Sequence, residues 1–366
     1  MKHLITAIAC LTAAAAAVAA STPHNHHAQQ AQDYDDAVVV PDSVLIDSPF
    51  VDEDSAAVVP VVGCYELHDT TTYTAVSQES DVADGDTTVR YRVDTNFRLA
   101  VADSTADGYT LHLLVQSCNA DSSCADNFKA RLHEAGISAL KGTKVVVGTD
   151  FAGQVTEIKN WQEVGKLQLR AYERIIDSTF AANPEMGKVV KRDAMKGLYS
   201  KTLATEEGVR GTLAALQVMF ANHGNQFTAG QEECDTVAAT SDSPGYTLTR
   251  YADYGVIDST DTETEFEGDY FVLGNVSTMV DGKDIAPLLA GAISGLVNQK
   301  GGLSAKKIEK EIQNVNSIEV ENDSKCFYYY NGWPKITMFT TTTTMGPVKR
   351  IKAQMVASTS FSWGNH

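Results

Sequence analysis

Residues 143–180 read TKVVVGTDFAGQVTEIKNWQEVGKLQLRAYERIIDSTF, and the reading of this stretch decides the fold. Val145, Val146 and Val147 are β-branched, stiff at χ1 and suited to a pleated surface. Asp150-Phe151-Ala152-Gly153 supplies an Asp to open a turn and a Gly where φ turns positive. Val155, Glu157 and Lys159 then alternate with Thr156 and Ile158, the pattern of a half-buried strand. Asn160 followed by Glu163 has capping-box spacing, with Asn in the Ser/Thr place. From there Trp161, Val164, Gln168, Ala171, Tyr172, Ile175 and Ile176 recur at helical spacing, so one mostly apolar face packs on something. The stretch is a corner where sheet gives way to helix; a site built around Trp161 is the competing reading.

Working outward, the chain before the corner is strand-like. Runs at 64–76, 87–102 and 109–117 are rich in Thr, Val, Tyr and Leu and alternate often, with Asp84-Gly85 and Asp107-Gly108 between them as hairpin punctuation. A short helix is expected over 127–140. Beyond the corner, Asn183-Pro184 makes a break, and Met186, Val189, Val190, Ala194 and Leu198 form a weaker stripe. Thr205 can cap a third helix with Val209, Leu213, Leu216, Met219 and Phe220 on one face and Gly224 at its end. Strands resume at 246–257 and 265–279, and a clean amphipathic helix follows over 285–297. Runs at 326–330 and 335–344 flank Asn331-Gly332, the strongest hairpin signal in the chain, and 348–361 closes the meander. The expected fold is α+β: an antiparallel, half-barrel-like sheet built from N- and C-terminal meanders, with a central helical insertion. The domain reading is a signal peptide at 1–20, a disordered acidic and His-containing linker at 21–60, and a single domain at 61–366. Within it, 61–159 reads as strands, 160–224 as helices, and 225–366 as strands with one helix.

The N-terminus carries the most specific signal. Met1-Lys2-His3 precedes an unbroken small and apolar run, and Ala17-Val18-Ala19 makes an A-x-A cleavage site, so the chain reads as exported. The run is short for a membrane span, and no transmembrane span is expected in the mature form. A looser lipobox-like reading of Ala7-Ile8-Ala9-Cys10 offers lipidation at Cys10 as the rival. The expected address is the periplasm or the outer membrane. With 29 basic against 47 acidic residues and a net charge of −18, the surface repels nucleic acid and anionic headgroups. Of the cysteines outside the signal, Cys118 and Cys124 bracket a polar loop and are the expected local disulfide, while Cys64, Cys234 and Cys326 stay unassigned.

No GxSxG elbow, HExxH, P-loop, dinucleotide fingerprint or EF-hand loop occurs. Ser304 and Lys307 make an S-x-x-K without its partner motifs, and His68, His112, His133 and His223 are scattered singly. No catalytic, cofactor-binding or metal-ligating residue is assigned, no cofactor is expected, and the balance leans away from an enzyme. Asp-Ser/Thr followed by a small or apolar residue recurs at Ser43, Ser55, Thr70, Thr87, Ser104, Ser178, Thr236 and Ser259. The pattern resembles the O-glycosylation sequon of exported Bacteroidetes proteins, and Ser43 and Ser55 are its best candidates.

Two patches carry a family resemblance. The first joins the aromatic run from Cys326, the Asn331-Gly332-Trp333-Pro334 turn, the Thr340–Thr344 run and the closing strand; the second is the D-x-x-G and N-W-x-E of 150–162. Both are similar to an uncharacterised exported envelope protein family of Bacteroidetes type. That resemblance implies no activity. By analogy, strands on either side of a helical insert look like the half-barrels of periplasmic lipoprotein and lipid carriers. The expectation is therefore an exported, non-enzymatic envelope protein that binds a lipid or other apolar small molecule in a curved sheet. The alternative is a structural or interaction component whose partner is an envelope protein.

Overall fold

A computed structural model describes residues 57–83, 85–124, 127–239, 244–255, 269–281 and 317–362. The chain divides into two units, Met1–Ala57 and Val58–His366, and the second is described below. The signal peptide, Cys10, Ser43, Ser55, the 285–297 helix and the Ser304/Lys307 pair lie outside the described residues.

Long strands β2 (Thr70–Ala83), β3 (Asp86–Thr105) and β4 (Gly108–Ala120) run on as β5 (Val145–Thr149) and β6 (Val155–Ile158). After the helices come β8 (Gln231–Val237), β9 (Tyr246–Tyr254), β10 (Tyr270–Asp281), β11 (Ser317–Tyr328), β12 (Pro334–Met345) and β13 (Val348–Ser362). These strands make one antiparallel sheet in the order β6-β5-β4-β3-β2-β13-β12-β11-β10-β9-β8. Each meander is a run of sequential neighbours, and they meet where β2 pairs with β13. A separate ribbon joins β1 (Val58–Pro60) to β7 (Gln226–Thr228). Strand β1 thus falls inside the segment read as a linker.

Alternation sets the buried face. Tyr73 and Ala75 of β2, then Tyr91, Val93, Phe97, Leu99 and Val101 of β3, point inward with period two. On β4 the inward set is Leu111, Leu113 and Val115, then Cys118. The parity changes because Ser117 pairs with Asn96 while Val115 pairs with Phe97, leaving Gln116 as a bulge. One register row, Ala75, Val356, Thr337, Cys326, Val272 and Ala252, crosses six strands and is buried throughout.

The helices α1 (Asn127–Ser138), α2 (Trp161–Ala182), α3 (Met186–Val189), α4 (Arg192–Thr202), α5 (Glu206–Thr212) and α6 (Ala214–Met219) follow in chain order. Ala130, Leu132 and Ile137 of α1, Val164, Tyr172 and Ile176 of α2, and Val209, Leu216 and Met219 of α5 and α6 share one core with the inward face of β2–β4. Gln168, fully buried on α2, is satisfied by Thr212 at 2.8 Å. Thr205 caps α5 as expected, its hydroxyl accepting from the Gly208 N–H at 3.1 Å.

Asn160 behaves otherwise. It precedes α2 but caps nothing. Its Oδ1 accepts from Val146 N–H at 2.9 Å and its Nδ2 donates to Lys144 O at 2.8 Å, so the amide ties the helix start to β5. The edge beyond β6 is covered by side chains of α5: Glu206 accepts from Ile158 N–H at 3.1 Å and Arg210 donates to Thr156 O at 2.9 Å.

Other boundaries differ from expectation. Residues 61–69 are not strand, although Val61, Tyr65 and Asp69 are buried. The stripe after Pro184 splits into α3 and α4, and no residue of α4 is buried.

Candidate functional site

The β2–β13 junction changes character along its length. In register, Ala75 faces Val356, Ser77 faces Gln354, Glu79 faces Lys352 and Asp81 faces Arg350. Opposed residues of an antiparallel pair share a face, so this face runs from apolar through neutral polar to charged.

The charged end is a network. Glu79 is buried and accepts from Lys129 of α1. Arg350 Nε lies 3.5 Å from Glu79 and donates to Asp81 at 2.8 Å; Arg90 Nε donates to the other Asp81 oxygen at 2.7 Å. Burial raises the Asp81 pKa, but the bonds and charges of Arg350 and Arg90 outweigh it and hold the carboxyl below its usual value. Four cations, Arg90, Lys129, Arg350 and Lys352, therefore gather around two carboxylates in a chain whose net charge is −18. Lys352 differs from the other three, forming no ion pair among the described residues. Its side chain is exposed, yet surrounding protein lowers its ammonium pKa by desolvation and Lys129 lowers it further, against the opposing pull of the Glu79 carboxylate. Tyr91 Oη and His133 Nδ1 share a hydrogen bond. Desolvation, then Lys352 and Lys129, push the His133 pKa down to about 4, so the ring is neutral at neutral pH.

Beside this network lies an apolar cavity of about 50 Å3. Sheet residues Ala75, Phe97, Leu113 and Val115 form its floor, and residues 212–216, spanning the break between α5 and α6, form its wall. Ser77, Gln354 and His133 also line it, and His133 is shared with the charged network. The arrangement can hold an anion next to apolar room. Among the described residues no three His, Cys, Asp or Glu side chains are grouped to hold a metal ion.

A second cluster brings together the turn at 150–153 and the Asn331-Gly332-Trp333-Pro334 turn. His223 is buried, and its Nε2 lies 2.8 Å from Tyr65 Oη and 3.0 Å from Gly332 O. A carbonyl only accepts, so Nε2 carries the proton and shares it between these oxygens. Among the described residues Nδ1 makes no hydrogen bond, and burial draws the ring pKa down to about 4 against the opposing pull of the Gly332 and Phe220 backbone. Tyr65 also packs on Trp333 and Tyr109, with centroids 4.5 and 4.8 Å away. Trp333 Nε1 donates to buried Asp69 at 3.3 Å, and Gly63 N–H donates to Ala152 O at 2.7 Å. The D-x-x-G turn and the Asn-Gly-Trp-Pro turn thus both pack against Tyr65. The cluster is closed and aromatic, and it locks segments together.

The structure places the sequence candidates plainly. Cys118 and Cys124 are both buried and both free thiols; Thr95 donates to Cys118 Sγ at 3.3 Å. Trp161 packs at the margin of the main core. His133 and His223, read as scattered, each join a cluster. The seam itself was not foreseen, although Arg350, Lys352 and Gln354 at i, i+2 and i+4 of a strand share a face. In an acidic chain that alternation was the available signal.

No family model matches the chain. No curated protein matches it either. The chain is similar to a solved structure of lipovitellin, reported for lipid-protein interactions in lipovitellin, at 9% identity and a TM-score of 0.35. That match covers 82% of this chain and spans 26% of the lipovitellin chain. At this level of superposition it carries no argument about fold or ligand.

Proposed function

We propose that this chain is an exported, non-enzymatic protein of the cell envelope that holds a lipid or other apolar small molecule between a sheet curved as a half-barrel and its helical wall. The observation that carries the reading is the apolar cavity between Phe97, Leu113 and Val115 of the sheet and the 212–216 segment, next to a polar seam. Ligand sites have this makeup, mostly apolar lining with a few placed polar groups. A cavity of about 50 Å3 takes water-sized guests, so binding an acyl chain requires the 212–216 wall to move outward. That wall is two short helices meeting at Leu213, which lies outside helical geometry at φ −102 and ψ 42. The test is native mass spectrometry, with lipid extraction, of the mature protein purified from its own envelope. A stoichiometric apolar molecule is the expected result; a clean apo mass after gentle handling overturns the reading.

A second reading, an interaction component of the envelope, rests on β8. This strand pairs only with β9 among the described residues, and nearly all of its side chains are exposed. Its outer edge offers backbone groups for another chain to pair with, and Glu232, Glu233 and Asp235 set its charge. Cross-linking from a residue of β8 in intact envelopes tests it; recovery of monomer alone sinks it.

A further inference from the structure

We infer that Lys352, backed by Arg350 and Lys129, is the headgroup site for a carboxylate-bearing amphiphile whose single hydrocarbon chain enters the cavity under residues 212–216. The inference rests on the apolar-ligand reading above and names the chemistry of that ligand.

Four observations lead to it. The face shared by β2 and β13 passes from Ala75 and Val356, through Ser77 and Gln354, to Glu79 and Lys352 and then Asp81 and Arg350. A molecule lying along this face meets apolar surface at one end and ammonium at the other, the polarity order of a fatty-acid-type anion. Both carboxylates of the network are already engaged at contact distance, Glu79 by Lys129 and Asp81 by Arg90 and Arg350, and Lys352 feels the Glu79 charge opposite it without forming an ion pair among the described residues. Lys352 is exposed at the end of this face, so an anion can reach its ammonium from solvent and form a charge-assisted hydrogen bond there. Gln354, between the cavity and Lys352, makes no side-chain hydrogen bond among the described residues and has an amide N–H to offer. His133 touches both regions, and as a neutral ring bonded to Tyr91 it adds apolar surface to the cavity and no charge to the seam.

A single chain fits better than two. The wall that must move is one short segment, and the floor beneath it is limited by the buried side chains of Phe97 and Leu113. The acidic exterior argues against a surface built to collect anions by long-range attraction. The cations act at contact range.

The test uses the full mature chain and three probes below any micellar concentration: dodecanoate, dodecanol and acetate. Calorimetric titration is expected to show dodecanoate binding at least about tenfold tighter than dodecanol, the factor carried by one charge-assisted hydrogen bond. Lys352→Met should remove that preference while leaving dodecanol affinity and the melting temperature in place, and Lys352→Arg should restore it. Equal affinities for dodecanoate and dodecanol overturn the headgroup site and leave the apolar-ligand reading standing. Acetate binding as tightly as dodecanoate overturns the chain-in-cavity placement, because the site is then a free anion site. No binding of either twelve-carbon probe overturns both readings. A preference that survives in Lys352→Met overturns the assignment to Lys352.

Discussion

Gly332 offers the sharpest quantitative test of how the aromatic cluster is assembled. Its φ is +81, and a Cβ there would lie 2.2 Å from Val62 O, 2.8 Å from Val62 C and 3.0 Å from Gly63 Cα. All three are backbone atoms, so none can step aside by changing rotamer. Gly85 has a similar φ of +87 but nothing within 4 Å of the same added atom. Gly85→Ala therefore reports the left-handed backbone cost alone, about 1 kcal/mol. Gly332→Ala adds the displacement of segment 61–65 from the turn, a further 2 kcal/mol or so, for a total of about 3 kcal/mol. At about 2 °C per kcal/mol for a chain of this size, the two variants should lower the melting temperature by about 2 and 6 °C. Differential scanning fluorimetry of both, side by side, separates the two contributions. Equal shifts would refute the docking of the Asn-Gly-Trp-Pro turn onto Val62 and Gly63.

Other consequences follow from the buried charges and thiols. Glu79→Gln removes the carboxylate charge that Lys129 and Arg350 share, and should cost about 3 kcal/mol in urea unfolding; no measurable loss would mean that the Glu79 pairs are not formed. The His223 and His133 rings sit near pKa 4, below the free value of 6.5, because burial disfavours their charged forms. Between those values the unfolded chain binds protons that the folded chain refuses, so stability should fall as pH drops from 6.5 to 4. Replacing either histidine with Gln should flatten the slope by about one proton, and an unchanged slope would remove that ring from the account. Cys64 and Cys234 are exposed, whereas burial holds the Cys118 and Cys326 thiols up at about 11, so iodoacetamide on the native protein should label the first two well ahead of the others. After unfolding without reductant, Cys118 and Cys124 should label fully as thiols. If that pair alone stays blocked, the oxidised protein carries the disulfide suggested by their spacing.

The last strand was read at 348–361 and lies at Val348–Ser362, because its ends are marked by Gly346-Pro347 and by loss of alternation. Thr205 announced its cap, and the 143–180 stretch gave strand, turn, strand and helix in the right order. β11 was legible only at its end. Its stretch from Glu321 to Lys325 is polar on both faces, and it stays in the sheet through cross-strand pairs. Thr341 donates to Asn322 at 2.8 Å, and Asn275 donates to Asp323 at 2.7 Å. Such partners are distant in sequence, and no local period reports them. The candidate site was hidden for the same reason. Lys129, Glu79 and Lys352 come from a helix and two strands, and only the β2–β13 register brings them into one seam. Asn160 shows the converse, a correct local signal redirected because the unpaired N–H of Val146 lay within its reach.

The pairing of β2 with β13 also governs when this sheet can exist. Asp81 and Arg350 meet across 269 positions, so the central ladder has the longest loop to close of any in the sheet. A ribosome must release nearly all of the described chain before β13 reaches its neighbour. Until then the N-terminal meander presents β2 as an open edge, with Ala75, Ser77 and Glu79 unmatched. Contacts this far apart slow folding and lengthen the time that such an edge is exposed.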